Sequence, residues 1–384
     1  MRSVGIFGLL IMWAVTSSAA ALQEVHIGLA SNFSEVSTGS SNPYGGYFKD
    51  GVILALKSAE SRLKAKGLVV KTQDFDYGTS DIKVLEATKK AIASNVIAVL
   101  GYNYSSNALL AAPLHHEAKL PMLSPSATAN RLSQFGRYIH MGSFSNAFMG
   151  ETLARTAKNK LKASKAILLP AANCAYCSDL AESFSIEFQK LGGVIVANLP
   201  VLSEDKNFSS LANKLKVQDF DLIFIPNQEL TSARMIATLS KAGINKPFMG
   251  ADGWGNVGRE FFGILGDAHF SGYSTSHWHP DLQDPASRQF VDAYSKAFGK
   301  TPNDTSVLAY DSMLLLVEAI LNAKSINREA IEDSLNALKT FRGVTGQFLL
   351  SPNRAPEKSL VLLKANAKQF KIVEIIAPRK KGAL

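Results

Sequence analysis

Short apolar runs alternate with longer stretches of helical period along nearly the whole chain. Residues 25–30, 68–74, 96–100 and 120–123 read as buried strands. Helical patterns fill the gaps, over residues 43–66 with a stop at Gly67, over 80–94, and from Ser105 or Ser106 to about residue 118. A second series of the same kind predicts helix 146–161, strand 166–169, helix 178–191, strand 194–199, helix 208–216, strand 221–226, helix 230–242 and strand 247–250. Alternation of this type implies parallel sheets covered by helices on both faces, so two series give two doubly wound α/β units. The remainder breaks the pattern. A strand at 269–274 is followed by three helices, 285–298, 305–323 and 328–338, the middle one heavily apolar. The chain then closes with antiparallel-looking strands near 346–350, 359–365 and 370–376.

The first 21 residues lie outside this scheme. Arg2, an apolar run and then small residues through Ala21 make a secretory signal, cut after Ala21 or a residue or two earlier. Export of the mature chain into the periplasm is the expectation, because no later stretch is apolar enough to span a bilayer. The chain carries 41 Lys+Arg against 32 Asp+Glu. Cleavage removes Arg2 and leaves an excess spread over helix faces, without the interleaved aromatics of a nucleic-acid surface, so nucleic acid is not an expected partner.

Four stretches carry candidate chemistry. The strand ending at Gly101 opens into YNYSSN, and the strand at 120–123 opens into SPSAT. Ser105, Ser126 and Thr128 therefore stand at strand ends beside a helix start, where backbone N–H groups and the helix dipole favour an anion such as a carboxylate. For either loop alone, ordinary helix caps are the commoner reading. Asp252 follows the apolar strand end in FMGADGWG and can face a cation, with a simple turn role as the alternative. Cys174 and Cys177 form a C-x-x-C, read as a disulfide in an oxidising compartment ahead of a redox site. His115-His116 and His277-Trp278-His279 read as solvated or hydrogen-bonded histidines ahead of metal ligands. No G-x-S-x-G and no strand–GxGxxG–helix unit is present.

Taken in order, NPYGGYFKDGVILAL, GYNYSSN, LPMLSPSATA, AYCSDLAESF, KPFMGADG and VLAYDSMLLLVEAI resemble the type I periplasmic solute-binding proteins, specifically the branched-chain amino-acid (leucine/isoleucine/valine) receptors of ABC importers. The resemblance runs from about residue 25 to 376. It implies two doubly wound parallel-sheet lobes joined by three crossings, with residues 22–143 plus 275–348 in one lobe and 144–274 plus 349–384 in the other. It implies a hinge closing over one amino acid or close analogue, an inner-membrane ABC permease as partner, no cofactor and no catalysis. A ligand-sensing subunit and a C-x-x-C thiol–disulfide enzyme are the competing classes. By the same resemblance Ser105, Ser126 and Thr128 hold the ligand's carboxylate and amino group, Tyr176 faces them from the second lobe, and Asp252 pairs with the ammonium. Better-known members carry Glu at that last position, one methylene longer. Tyr44 lines the pocket and Tyr104 adjoins its side-chain end. Gln228 stands where branched-chain receptors often have Tyr, a departure from the Leu/Ile/Val pattern. In this reading Asp252 has no internal partner in the empty cleft, and Trp254, two residues on, lies at the cleft edge.

Overall fold

Five parallel strands make the first sheet, in the order β2 (Leu68–Asp76), β1 (Gln23–Ser31), β3 (Ala98–Gly101), β4 (Met122–Ser124) and β5 (Ile139–Met141). The computed structural model describes residues 21–34, 44–78, 80–255, 259–351, 355–366 and 368–378. Residues 1–20, nearly all of the expected signal segment, lie outside the described residues. The first unit comprises β1 (Gln23–Ser31), α1 (Tyr44–Ala65), β2 (Leu68–Asp76), α2 (Asp81–Ala93), β3 (Ala98–Gly101), α3 (Ser105–Glu117), β4 (Met122–Ser124) and β5 (Ile139–Met141). The second begins with α4 (Asn146–Asn159), β6 (Lys165–Leu168), α5 (Ala175–Lys190), β7 (Val194–Asn198), α6 (Ser209–Lys216) and β8 (Leu222–Phe224). It continues through α7 (Glu229–Lys241), β9 (Phe248–Met249), α8 (Arg259–Leu265) and β10 (Ser271–Ser276). The chain then forms α9 (Pro285–Phe298), α10 (Asp304–Asn322), α11 (Arg328–Ala337), the hairpin β11 (Thr340–Gly343) and β12 (Gly346–Leu349), and finally β13 (Leu360–Asn366) and β14 (Phe370–Ile376).

The second sheet runs β14-β13-β10-β9-β8-β6-β7 and is parallel except at β13 and β14, which pair antiparallel. Each sheet has an apolar core on both faces. In the first lobe α1, α10 and α11 cover one face and α2 and α3 the other. In the second, α6, α7 and α8 lie opposite α4 and α5. Helix α10 shows why the three-helix run joins the first lobe. Met313, Leu316, Val317 and Ile320 are at most 1% exposed and pack on α1 and the first sheet, each burial stabilising by roughly 1.5–3 kcal/mol. Gly51 permits that approach, since a Cβ there would stand 2.2 Å from the Ser306 carbonyl oxygen. Ends are set locally. Asp284 caps α9 ahead of Pro285, Gly299 closes it in the left-handed region, and Asn303 with Ser306 forms a capping box on α10.

The chain passes between lobes three times, between β5 and α4, between β10 and α9, and between β12 and β13. Several expected boundaries move. β5, α8 and β11 have no counterpart in the hydrophobic pattern, and the strand expected at 269–274 sits two residues later. Helix α5 starts at Ala175, not 178, because Cys174 caps it by accepting the Cys177 N–H at 3.2 Å. At α3 the cap position is Tyr104, with no side-chain capping bond, so Ser105 and Ser106 are not caps.

Candidate functional site

In the first lobe the loops after β3 and β4 are stitched together by hydroxyls. Ser105 Oγ accepts the N–H groups of Thr128 and Ala129 at 3.3 and 3.2 Å. A hydroxyl used this way keeps its own hydrogen to donate. Ser126 Oγ donates to the Asn103 carbonyl at 2.9 Å, and Ser124 Oγ to the Tyr102 carbonyl at 2.7 Å. Ser105 and Thr128 are almost fully buried and Ser126 is half-buried. The three residues expected to act together are thus one constellation, held by hydrogen bonds between loops more than twenty residues apart.

The second lobe supplies Asp252, directly beyond β9. Tyr176 Oη donates to Asp252 Oδ1 at 2.6 Å and accepts the Gly253 N–H at 3.1 Å. His277 Nε2, at the start of the second crossing, lies 3.0 Å from Asp252 Oδ2. The expectation of a carboxylate without internal partners is therefore incorrect. Two donors already hold it, and 12% of its side chain stays accessible. A carboxylate offers about four lone-pair sites, so acceptor capacity remains for a ligand. Gly253 is needed here, since a Cβ would meet the Asn227 carbonyl oxygen at 2.7 Å and the Tyr176 ring at 3.0 Å.

Burial lowers the pKa of His277, against the pull of Asp252, so the imidazole is neutral and gives its one hydrogen to the carboxylate. It stacks on Phe144 of the first crossing with ring centroids 4.0 Å apart. Burial, reinforced by Asp252, raises the Tyr176 phenol well above its ordinary value, which keeps it a donor. A buried charge network lies between α10, the β11–β12 hairpin and the segment before β13. Lys358 Nζ donates to Thr345 Oγ1 at 2.6 Å and lies 4.1 Å over the Phe348 ring, while Thr345 and Val344 donate to Asp311. Ser276 Oγ donates to Asp304 Oδ2 at 2.7 Å. Burial pulls Lys358 down to about 8 and pushes Asp304 up to about 8.

Direct bonds join the lobes beside the two half-sites. The Ala175 N–H, at the start of α5, donates to Ser106 Oγ at 3.3 Å. Asn130 donates from its backbone and side chain to Asp179 at 2.8 and 2.9 Å and to Ser183 Oγ at 3.1 Å, and its Oδ1 accepts the Ala147 N–H at 2.8 Å. The neighbours of Ser105 and Tyr176 thus touch across the cleft. Tyr104 is half-buried at the α3 cap position, and Gln228 holds the same position on α7 without a side-chain capping bond. Helix α1 begins at Tyr44, whose side chain lies outside the described residues. Trp254 is not at the cleft edge. It is fully buried, its indole N–H donates to the Ile225 carbonyl at 3.0 Å, and it stacks on Phe261.

The structure adds Asn130 and Asp179 to the residues read from sequence, and brings to the cleft Ser106, read only as a helix start, and His277, read only as a solvated or hydrogen-bonded histidine. Only His277 carried a signal, being the first residue after a strand on the same sheet edge as Asp252. Cys174 and Cys177 are joined, with Cα atoms 5.2 Å apart. Among the described residues no three His, Cys, Asp or Glu side chains are placed to hold a metal ion. His115 instead donates from Nδ1 to the Leu120 carbonyl, and His279 accepts the Asp281 N–H.

Two α/β lobes joined by three crossings, with strand-end loops of one lobe hydrogen-bonded to the other, are the architecture of a solute-binding receptor. The chain belongs to the periplasmic binding protein family, whose profile matches residues 24–369. Membership of that family makes it a periplasmic binding protein. The leucine-, isoleucine-, valine-, threonine- and alanine-binding protein of Pseudomonas aeruginosa is 25% identical over 319 residues, covering 80% of this chain and 82% of that protein. A leucine-binding protein from Thermotoga maritima superposes with a TM-score of 0.83 at 25% identity, covering 92% of this chain and 99% of that one. The substrate-binding protein of a branched-chain amino-acid transporter from Streptococcus pneumoniae, solved with isoleucine, gives a TM-score of 0.83 at 26% identity, covering 93% and 100%.

Proposed function

We propose that this receptor captures an amino acid, or a close analogue such as an amide, between its lobes and delivers it to an ABC permease in the inner membrane. Ser105 and Thr128 donate to the ligand's carboxylate, with Ser126 completing the loop. Asp252, oriented by Tyr176 and His277, takes the ammonium. Tyr44, Tyr104 and Gln228 line the side-chain end of the pocket. The observation that carries this reading is the pairing of hydroxyl-rich loops on one lobe with an oriented carboxylate on the other, with Ala175 and Ser106 in contact beside them. A zwitterion bridging such halves contacts both lobes only when they close, which supplies the differential affinity that closure requires. The names of the relatives, which bind leucine, isoleucine and valine, support the same class.

A thermal-shift screen against amino acids, amides, urea, short-chain acids and aromatic carboxylates tests the proposal. A ligand at 100-fold its Kd stabilises by about 2.7 kcal/mol. An amino acid or amide should give the largest shift. A larger shift from a carboxylate without nitrogen contradicts the reading.

A further inference from the structure

The disulfide brackets two of the second-lobe residues that bear on the cleft. Cys174 and Cys177 close one turn of α5, and the two residues between them are Ala175 and Tyr176. Ala175 donates across the cleft to Ser106 Oγ, and Tyr176 holds Asp252. A first helical turn is where N–H groups lack intrahelical acceptors and fraying starts. Here Cys177 N–H is taken by Cys174 Sγ at 3.2 Å, and Ser178 N–H by the Cys174 carbonyl at 3.1 Å.

We propose that the Cys174–Cys177 disulfide is a positioning brace for Tyr176, so that ligand affinity depends on the redox state of this pair. The inference rests on Asp252 being the acid that meets the ligand. The covalent ring removes frayed conformations of the turn from the ligand-free protein, so Tyr176 Oη stays aimed at Asp252 Oδ1. A dithiol reductant opens the ring. One of its thiolates attacks Sγ of Cys174, the more accessible residue at 9% exposure against 0% for Cys177, and the Cys177 thiolate leaves. The second thiol of the reductant then resolves the mixed disulfide. Two electrons and two protons pass from the dithiol to the two cysteines, and the reductant becomes a cyclic disulfide. In the reduced protein the turn frays, and Asp252 keeps only the His277 donor in place.

The test combines a ligand-independent readout with a mutant cycle. Hydrogen exchange of the Gly253 amide, which donates to Tyr176 Oη, reports directly on the Tyr176 position. Reduction, the double variant Cys174→Ala/Cys177→Ala and Tyr176→Phe should each speed that exchange. Unchanged Gly253 exchange on reduction overturns the brace whether or not the ligand class is right. Titration with L-leucine supplies the cycle. Losing one bond to a charged group weakens binding roughly tenfold, so the double cysteine variant and Tyr176→Phe should each show about that loss. Combining all three substitutions should cost little more than Tyr176→Phe alone. Additive losses overturn the proposal, because the disulfide would then act elsewhere. If the oxidised protein does not bind L-leucine at all, leucine is not the amino acid it takes, and Gly253 exchange still decides the brace.

Discussion

Asp252→Asn is nearly isosteric, and its consequences follow from the two bonds the carboxylate makes. The Tyr176 O–H at 2.6 Å can still donate to the amide oxygen. The amide nitrogen then faces His277 Nε2 at 3.0 Å, where two donors would collide. The imidazole escapes by moving its hydrogen to Nδ1, which is buried and has no hydrogen-bond partner among the described residues. Leaving one buried N–H unsatisfied costs about 1–3 kcal/mol, so the ligand-free variant should melt measurably below wild type. Binding should suffer separately. Removing one partner of a buried charge pair costs about 2–5 kcal/mol. Tyr176 and His277 already share the carboxylate's charge, which places the loss near the lower end, about 30-fold weaker for L-leucine. Calorimetric titration with L-leucine and with 4-methylpentanoate, which lacks the amine, separates the two effects. Wild type should prefer leucine strongly and the variant only weakly. Equal leucine affinities in both proteins, with equal melting temperatures, would refute the reasoning and reduce Asp252 to a turn residue.

Two further predictions use groups away from the ligand. Trp278 sits in the second crossing, fully buried, with its indole N–H on Ser287 Oγ at 2.6 Å, whereas Trp254 moves with the core of one lobe. A ligand-dependent change in emission should therefore vanish in Trp278→Phe and persist in Trp254→Phe, and the reverse result would place the moving contacts elsewhere. Burial holds His115 down to about 4, so below about pH 6.5 the unfolded chain takes up a proton that the native state refuses, and stability falls with pH. At pH 5 that difference is about 2 kcal/mol. His115→Gln should lose correspondingly less stability than wild type between pH 7 and pH 5, measured by denaturant unfolding, and equal losses would contradict the assignment.

The layered architecture was legible because most core strands are short apolar runs and several helices carry a cap or stop, such as Gly67, Asp284 or Asn303. β5 escaped notice because only three residues, Ile139 to Met141, pair with β4, too few to show a period. The loops bearing Ser105, Ser126, Thr128 and Asp252 could be read from position alone, as ends of buried strands. The His277 partner of Asp252 could not, since the two meet only through the sheet order. Trp254 shows the same limit. The turn Asp252–Trp254 is 3-10, so residues two apart diverge, one toward Tyr176 and the other into the core. The charges of Lys358, at the third crossing, and of Asp304 and Asp311, on α10, gave no hint of burial, because charged side chains read as solvent-facing until the lobes are assembled.

The most direct test of the account is a crystal structure of the oxidised protein grown with the amino acid that gives the largest thermal shift. The account predicts closed lobes, the ligand's ammonium within charge-assisted hydrogen-bond distance of Asp252, about 2.7–2.9 Å, and its carboxylate on Ser105 and Thr128. A ligand lying with its apolar end against Asp252, or bound outside the cleft, would contradict it.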